Sequence, residues 1–213
     1  AIAEAAPPPQ WPGIVGNSEA FNAMLRQIVR IAPTDAVILL EGETGVGKEL
    51  AARAIHYSSV RRGKPFIALN CGAIPESLAE SELFGHAKGA FTDAKTAHPG
   101  VIRQAHGGTL FLDEIDSLPG KAQVAMLRFL QDRSYRPVGE AAERMSDARI
   151  IAATNQSLET LVERGVFRSD LMYRLNIIRI RVPPLRERRG DLPLLASHFI
   201  ELYGERYGMT HKT

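Results

Sequence analysis

The sequence has little that could staple it, anchor it in a membrane or draw it to a polyanion. Its one cysteine, Cys71, cannot form an intrachain disulfide. A disulfide framework is therefore excluded, and a reducing compartment, the cytoplasm, is expected. The longest uninterrupted apolar run is Ala36 to Leu40, far short of the roughly 20 residues a membrane-spanning helix needs, so no membrane role is expected. The opening residues carry no basic stretch followed by an apolar core, which excludes a secretory signal there. Neither sign of charge dominates, with 26 Lys and Arg against 24 Asp and Glu, too balanced to argue for nucleic-acid binding by this segment. The six histidines show no metal-ligand spacing such as H-E-x-x-H, and solvated or internally satisfied imidazoles are expected. Because the chain opens on Ala rather than Met, it is expected to be part of something longer.

What is present is an ordinary globular composition, 45% apolar over 213 residues, enough for one or two domains with a sizeable core. Residues 1–12 are rich in Ala and Pro and read as an extended linker, with an α/β part running over 13–184 and the start of a helical subdomain over 185–213. Short apolar runs predict strands at Val37–Glu41, Phe66–Asn70, Thr109–Asp113, Arg149–Thr154 and Ile177–Val182. Helical patterns fit Ser18–Ile31, Lys48–Ser58, Pro75–Leu83, Lys121–Gln131, Ser157–Arg164 and Arg168–Leu175. Strands alternating with helices predict an α/β fold with a parallel five-stranded sheet covered on both faces. After Pro183 and Pro184, Asp191 to Tyr207 reads as one more amphipathic helix.

Gly42-Glu43-Thr44-Gly45-Val46-Gly47-Lys48 fits G-x-x-x-x-G-K between a strand and a helix, where backbone N–H groups and a helix N-terminus cradle phosphates and Lys reaches the terminal ones. Glu49 follows where Ser or Thr commonly holds Mg²⁺, so a ligand-free glycine turn stays open as an alternative. The strand Thr109 to Asp113 ends in two acids. Asp113 and Glu114 are placed to hold Mg²⁺, Asp113 as the metal carboxylate and Glu114 also to polarise the attacking water as general base; a helix N-cap pair is the alternative. Thr154 and Asn155, leaving another buried strand, could contact the γ-phosphate or water, and Asn70 ends a strand in the same way. Eight arginines lie between Arg164 and Arg189 against two acids, Asp170 and Glu187. They form either a solvated basic face or a set aimed at phosphate or a neighbouring subunit.

Five segments together are more specific: Gly42 to Glu49, Glu82-Leu83-Phe84-Gly85-His86, Gly89-Ala90-Phe91-Thr92-Asp93-Ala94, Gly107 to Glu114 and Phe167 to Leu175. In their order they resemble the AAA+ domain of bacterial enhancer-binding proteins, the sigma-54-dependent transcription activators, in which Glu at position 49 is usual. The resemblance implies a P-loop αβα sandwich with a helical lid, and a ring, commonly a hexamer, that binds ATP and Mg²⁺ between subunits. It implies that Val15 and Gly16 border the adenine, that Asn70 is a switch pairing with Glu114, and that Thr154 with Asn155 is the first sensor. Arg168 and Arg174 become arginine fingers reaching the neighbour's ATP. Residues 89–94 become the tip of a loop that grips sigma-54, with 136–146 as a second loop beside it.

Two departures qualify the resemblance. The family's loop reads Gly-Ala-Phe-Thr-Gly-Ala, whereas the fifth position here is Asp93. The lid's later helices, with a second sensor arginine, are expected beyond Thr213. The implied activity is ATP hydrolysis that remodels sigma-54 RNA polymerase at promoters, with upstream DNA bound by a domain outside this chain. The alternatives are a regulator of the same family acting without sigma-54, and a nucleotide-dependent scaffold without turnover.

Overall fold

The computed structural model of the chain describes Trp11 and residues 13–92 and 94–208. Its centre is a sheet of β1 (Ile38–Glu41), β2 (Phe66–Asn70), β3 (Thr109–Asp113), β6 (Arg149–Thr154) and β7 (Ile178–Arg181), all parallel in the order β2-β3-β6-β1-β7. Burial on both faces explains why β3 and β6 read as continuous apolar runs rather than alternating ones. Ile38, Leu40, Phe111, Ile151 and Ala153 pack on one side against α1 (Glu19–Ile31) and α2 (Lys48–Tyr57). On the other side, Leu39, Leu110, Leu112, Ile150 and Ala152 meet α3 (Ala79–Phe84), α4 (Val101–Gln104), α5 (Gly120–Asp132), α6 (Leu158–Glu163) and α7 (Ser169–Leu175). The alternating side chains of each strand thus serve two separate cores.

The register puts one edge to use. Asn70 stands opposite Asp113, and Glu41 opposite Thr154, so the C-terminal ends of β1, β2, β3 and β6 form one rim. The chain leaves β1 for β2 on the far side of the sheet and later returns past it to β7. That reversal of direction makes the rim beside β1 the place where open α/β sheets bind ligands.

Three features differ from expectation. Trp11, inside the stretch read as a linker, is buried and its indole N–H donates to Ser58 Oγ at 3.0 Å; a large amphipathic ring found a groove on α2 that composition could not show. The rest of 1–12 lies outside the described residues. The helix expected over Pro75–Leu83 starts as a 3₁₀ turn, Glu76–Leu78, before α3. A two-residue hairpin, β4 (Ser134–Tyr135) with β5 (Arg144–Met145), closes the loop expected over 136–146. Beyond β7, two 3₁₀ turns lead into α8 (Leu192–Arg206). Among the described residues no helix is long and apolar enough to cross a membrane.

Candidate functional site

Residues 42–47 run from the end of β1 to the start of α2. Gly45 and Gly47 hold φ of 81° and 100°, a conformation that costs other residues energy and glycine little, and this turn brings the loop into the N-terminus of α2. Lys48 is buried and its Nζ donates to the carbonyls of Gly42 (2.9 Å) and Glu43 (3.1 Å). An ammonium, a glycine turn and free helix N–H groups make an anion cradle. Glu49 does not join it, because its carboxylate is exposed and paired with Arg53 one turn along α2.

At the end of β3, Asp113 Oδ1 accepts from the Glu114 N–H at 3.0 Å. Glu114 has a φ of 51°, a left-handed conformation that few non-glycine residues adopt and that clusters at functional sites. Its carboxylate lies over Gly72, where a Cβ would come 2.1 Å from Glu114 Oε2. Gly72 was not legible from residue types, since a glycine after a strand is usually a turn. Gly72→Ala is expected to displace the Glu114 carboxylate and lower any hydrolysis that depends on it about tenfold or more, with nucleotide affinity unchanged. A steady-state assay beside a binding titration checks this.

Asn70 is not paired with Glu114 as expected: among the described residues no hydrogen bond joins them. Asn70 Oδ1 instead accepts from the N–H groups of Gly72 (2.8 Å) and Ala73 (3.2 Å), capping the turn that carries Gly72. Cys71 between them is buried; burial, with the negative charges of Asp113, Asp116 and Glu114, pushes its thiol up to about 12, so it is not a nucleophile.

Thr154 and Asn155 divide. Asn155 Nδ2 donates to Thr44 Oγ1 at 3.0 Å, tying the end of β6 to the phosphate loop. Thr154 is fully buried and its hydroxyl donates to Asp116 Oδ1 at 2.6 Å, so it faces inward and supports Asn155 from behind. Gln156 Nε2 donates to the other oxygen of Asp116 at 2.8 Å. Asp116, two residues beyond Glu114, therefore fixes the Asn155 loop to the Glu114 turn, and sequence reasoning missed it because its partners lie 38 and 40 residues away.

A cleft of about 620 Å³ opens beside the phosphate loop between Ile14, Val15 and Met24 on one side and Leu195, His198 and Phe199 of α8 on the other. That size and an apolar lining suit a small organic ligand. Val15 lines it, whereas Gly16 stands behind it, where a Cβ would meet Phe21 and Asp191.

With the site assembled, its kinship can be read. The family model described as the Sigma-54 interaction domain matches residues 14–181. The chain belongs to this AAA+ family. It is 50% identical to the regulatory protein AtoC of Escherichia coli over 91% of this chain and 42% of that protein. It is 53% identical to the regulatory protein LuxO of Vibrio cholerae over 92% of this chain and 37% of that one, so it spans about two-fifths of their lengths. Among solved structures, NtrX of Brucella abortus in complex with ADP superposes with a TM-score of 0.86 at 39% identity, over 92% of this chain and 43% of that chain. NtrX in complex with ATP gives 0.85.

The family's two other regions are exposed on the surface. Arg168 stands at the N-cap of α7, and its guanidinium forks onto Asp170 at 3.0 and 2.7 Å. Arg174 is exposed in the last turn of α7; among the described residues it has no ion-pair partner. Arg179, Arg181 and Arg186 pair with Glu41 and Glu159, Glu187 and Glu43, while Arg188 lies over Phe21. Half of the eight clustered arginines, Arg179, Arg181, Arg186 and Arg188, are thus engaged within the chain rather than forming a free basic face.

In the loop, His86 and His98 exchange backbone hydrogen bonds at its neck, and Ala94 N–H donates to Phe91 O at its tip. Gly89 and Thr92 are exposed, and the Phe91 ring, 37% exposed, rests on His86 with centroids 4.9 Å apart. Ala94 is buried and anchors the tip rather than offering contact; Asp93 lies outside the described residues. Ala90 touches the second loop, where a Cβ on Gly139 would come 2.8 Å from Ala90 Cβ.

Proposed function

We propose that this chain is the motor domain of a cytoplasmic sigma-54-dependent transcription regulator, hydrolysing ATP in a ring, commonly a hexamer, to remodel sigma-54 RNA polymerase. Upstream promoter DNA is bound by a domain outside this chain. The observation that carries the reading is the convergence of the phosphate loop, the Asp113-Glu114 strand end and Asn155 on one rim of the sheet, beside an apolar cleft, in a member of this family.

The loop N–H groups and Lys48 hold the phosphates of ATP, and the base enters the cleft lined by Val15. Asn155, held by Thr44 and braced through Asp116, stands at the γ-phosphate side. Glu114 takes the proton of the attacking water as the bond to the leaving ADP breaks. Among the described residues no group of three His, Cys, Asp or Glu gathers to cage a metal, which fits Mg²⁺ held by Asp113, water and substrate phosphates. When bound, Mg²⁺ neutralises charge on those phosphates.

Two measurements test the reading. Lys48→Ala is expected to weaken ATP binding about 10- to 100-fold, the equivalent of one charge-assisted hydrogen bond of about 1.5–3 kcal/mol; unchanged affinity would remove Lys48 from the phosphates. With ADP and aluminium fluoride bound, the original protein is expected to capture sigma-54, Phe91→Ala to lose it, and Asp93→Gly to alter it with ATPase activity unchanged. If the original protein and Asp93→Gly both fail to capture sigma-54 and Phe91→Ala changes nothing, the sigma-54-independent regulator replaces this reading; the departure at Asp93 is what favours that alternative.

A further inference from the structure

The two walls of the cleft come from opposite ends of the sequence, and one buried carboxylate joins them. Asp191 has no solvent exposure. Its Oδ1 accepts from the N–H groups of Asn17 (2.6 Å) and Ser18 (2.7 Å), and its Oδ2 from the Ser18 hydroxyl (2.8 Å). Ser18 is the N-cap of α1 and Asp191 the N-cap of α8, so these bonds fix the start of one helix to the start of the other. The approach needs a glycine at 16, because a Cβ there would lie 2.8 Å from Asp191 Oδ2 and 2.6 Å from the Phe21 ring.

Arg188 closes the same joint, with its guanidinium 4.8 Å from the centre of the Phe21 ring. Burial works to raise the Asp191 pKa, but the hydrogen bonds from Asn17 and Ser18 and the charge of Arg188 outweigh it and hold the carboxyl below its ordinary value. From this joint α8 runs along the cleft, carrying Leu195 and Phe199 opposite Ile14 and Val15. Among the described residues, the Asp191 carboxylate accepts only from Asn17 and Ser18 and from nothing in the phosphate loop.

We propose that Asp191 is a positioning residue for base recognition, a clasp that sets the spacing between α8 and the segment 14–18 so that a nucleotide base fits between apolar walls. The proposal rests on the reading of this cleft as the nucleotide site. It separates the base side of the ligand from the phosphate side: loosening the clasp weakens the hold on the base and leaves the hold on the phosphates alone. A residue needed only for folding would weaken both together.

The test compares ATP with inorganic tripolyphosphate, each titrated in the presence of Mg²⁺, with a fluorescent ATP analogue as the displaced reporter. Asp191→Ala is expected to lower ATP affinity about tenfold, equal to about 1.4 kcal/mol, with tripolyphosphate affinity unchanged. Asp191→Asn keeps an oxygen for the two N–H donors and is expected to recover most of that loss. Ser18→Ala, which removes one of the three bonds, is expected to fall between. Unchanged ATP affinity in Asp191→Ala, or an equal loss for both ligands, overturns the proposal while the nucleotide reading stands. If the original protein binds neither ligand, the nucleotide reading falls and the clasp with it.

Discussion

Replacing Glu114 by Gln is expected to leave ATP bound and to slow its hydrolysis about 10²-fold or more, the usual contribution of a positioned general base. Gln has the shape of Glu, so it can occupy the space over Gly72 that the structure leaves for this side chain, but it cannot accept the proton of the attacking water. The left-handed backbone at 114 supports the assignment. Holding a non-glycine residue at a φ of 51° costs of order 1–3 kcal/mol. The turn that holds it is over-determined by Asp113 Oδ1 on the Glu114 N–H and by Asp116 bridging to Thr154 and Gln156. Single-turnover hydrolysis beside an ATP titration makes the measurement. A variant that binds ATP and turns it over at the original rate would show that the base lies elsewhere; one that no longer binds ATP would assign Glu114 to binding.

Much of the sheet was legible in residue types alone. Strands buried on both faces declared themselves as apolar runs, and β2, β3 and β6 have the bounds the sequence predicts. Ser18 and Ser157 proved to be caps rather than first residues of their helices. The one-turn α4 and the two-residue strands β4 and β5 were missed because neither a 3.6- nor a 2-residue period can be recognised over so few positions. At the site, the motif gave the groups that face a ligand but not those that hold them. Asp116 acts through Thr154, Gly72 through the space it leaves for Glu114, and Asp191 through Asn17 and Ser18 across 173 residues of sequence. Such partners are fixed by the tertiary fold, and a buried acid looks in sequence like any solvated one. The eight arginines show the converse: their acids Glu41, Glu43 and Glu159 lie outside the cluster, so the local charge count overstated the free positive charge.

Arg168→Ala and Arg174→Ala are each expected to lower hydrolysis about 10³-fold or more while leaving each subunit's ATP affinity intact, because an arginine supplied in trans stabilises charge that develops only in the transition state. The base of α7 is built for a fixed reach. Gln123 of α5 is buried; its Oε1 accepts from the Arg168 N–H at 2.9 Å, and its Nε2 donates to Leu118 O at 2.8 Å and Val166 O at 3.1 Å. Leu118 follows directly on the 3₁₀ turn that Glu114 caps, so the backbone under Arg168 is tied to the turn beside the base of its own subunit. The Arg168 side chain, by contrast, is exposed and, among the described residues, held only by Asp170, an exposed pair of the kind worth about 0–1 kcal/mol, which a phosphate from a neighbour can outcompete with its greater charge. Mixing decides whether the action is in trans. Rings assembled from Arg168→Ala and Lys48→Ala subunits contain some interfaces with an intact phosphate loop on one side and an intact Arg168 on the other. Hydrolysis is therefore expected to rise above that of either variant alone and to peak near equal proportions. Mixed rings that form, as shown by co-purification of differently tagged subunits, yet hydrolyse no faster than the single variants at any ratio would place the action of Arg168 within its own subunit.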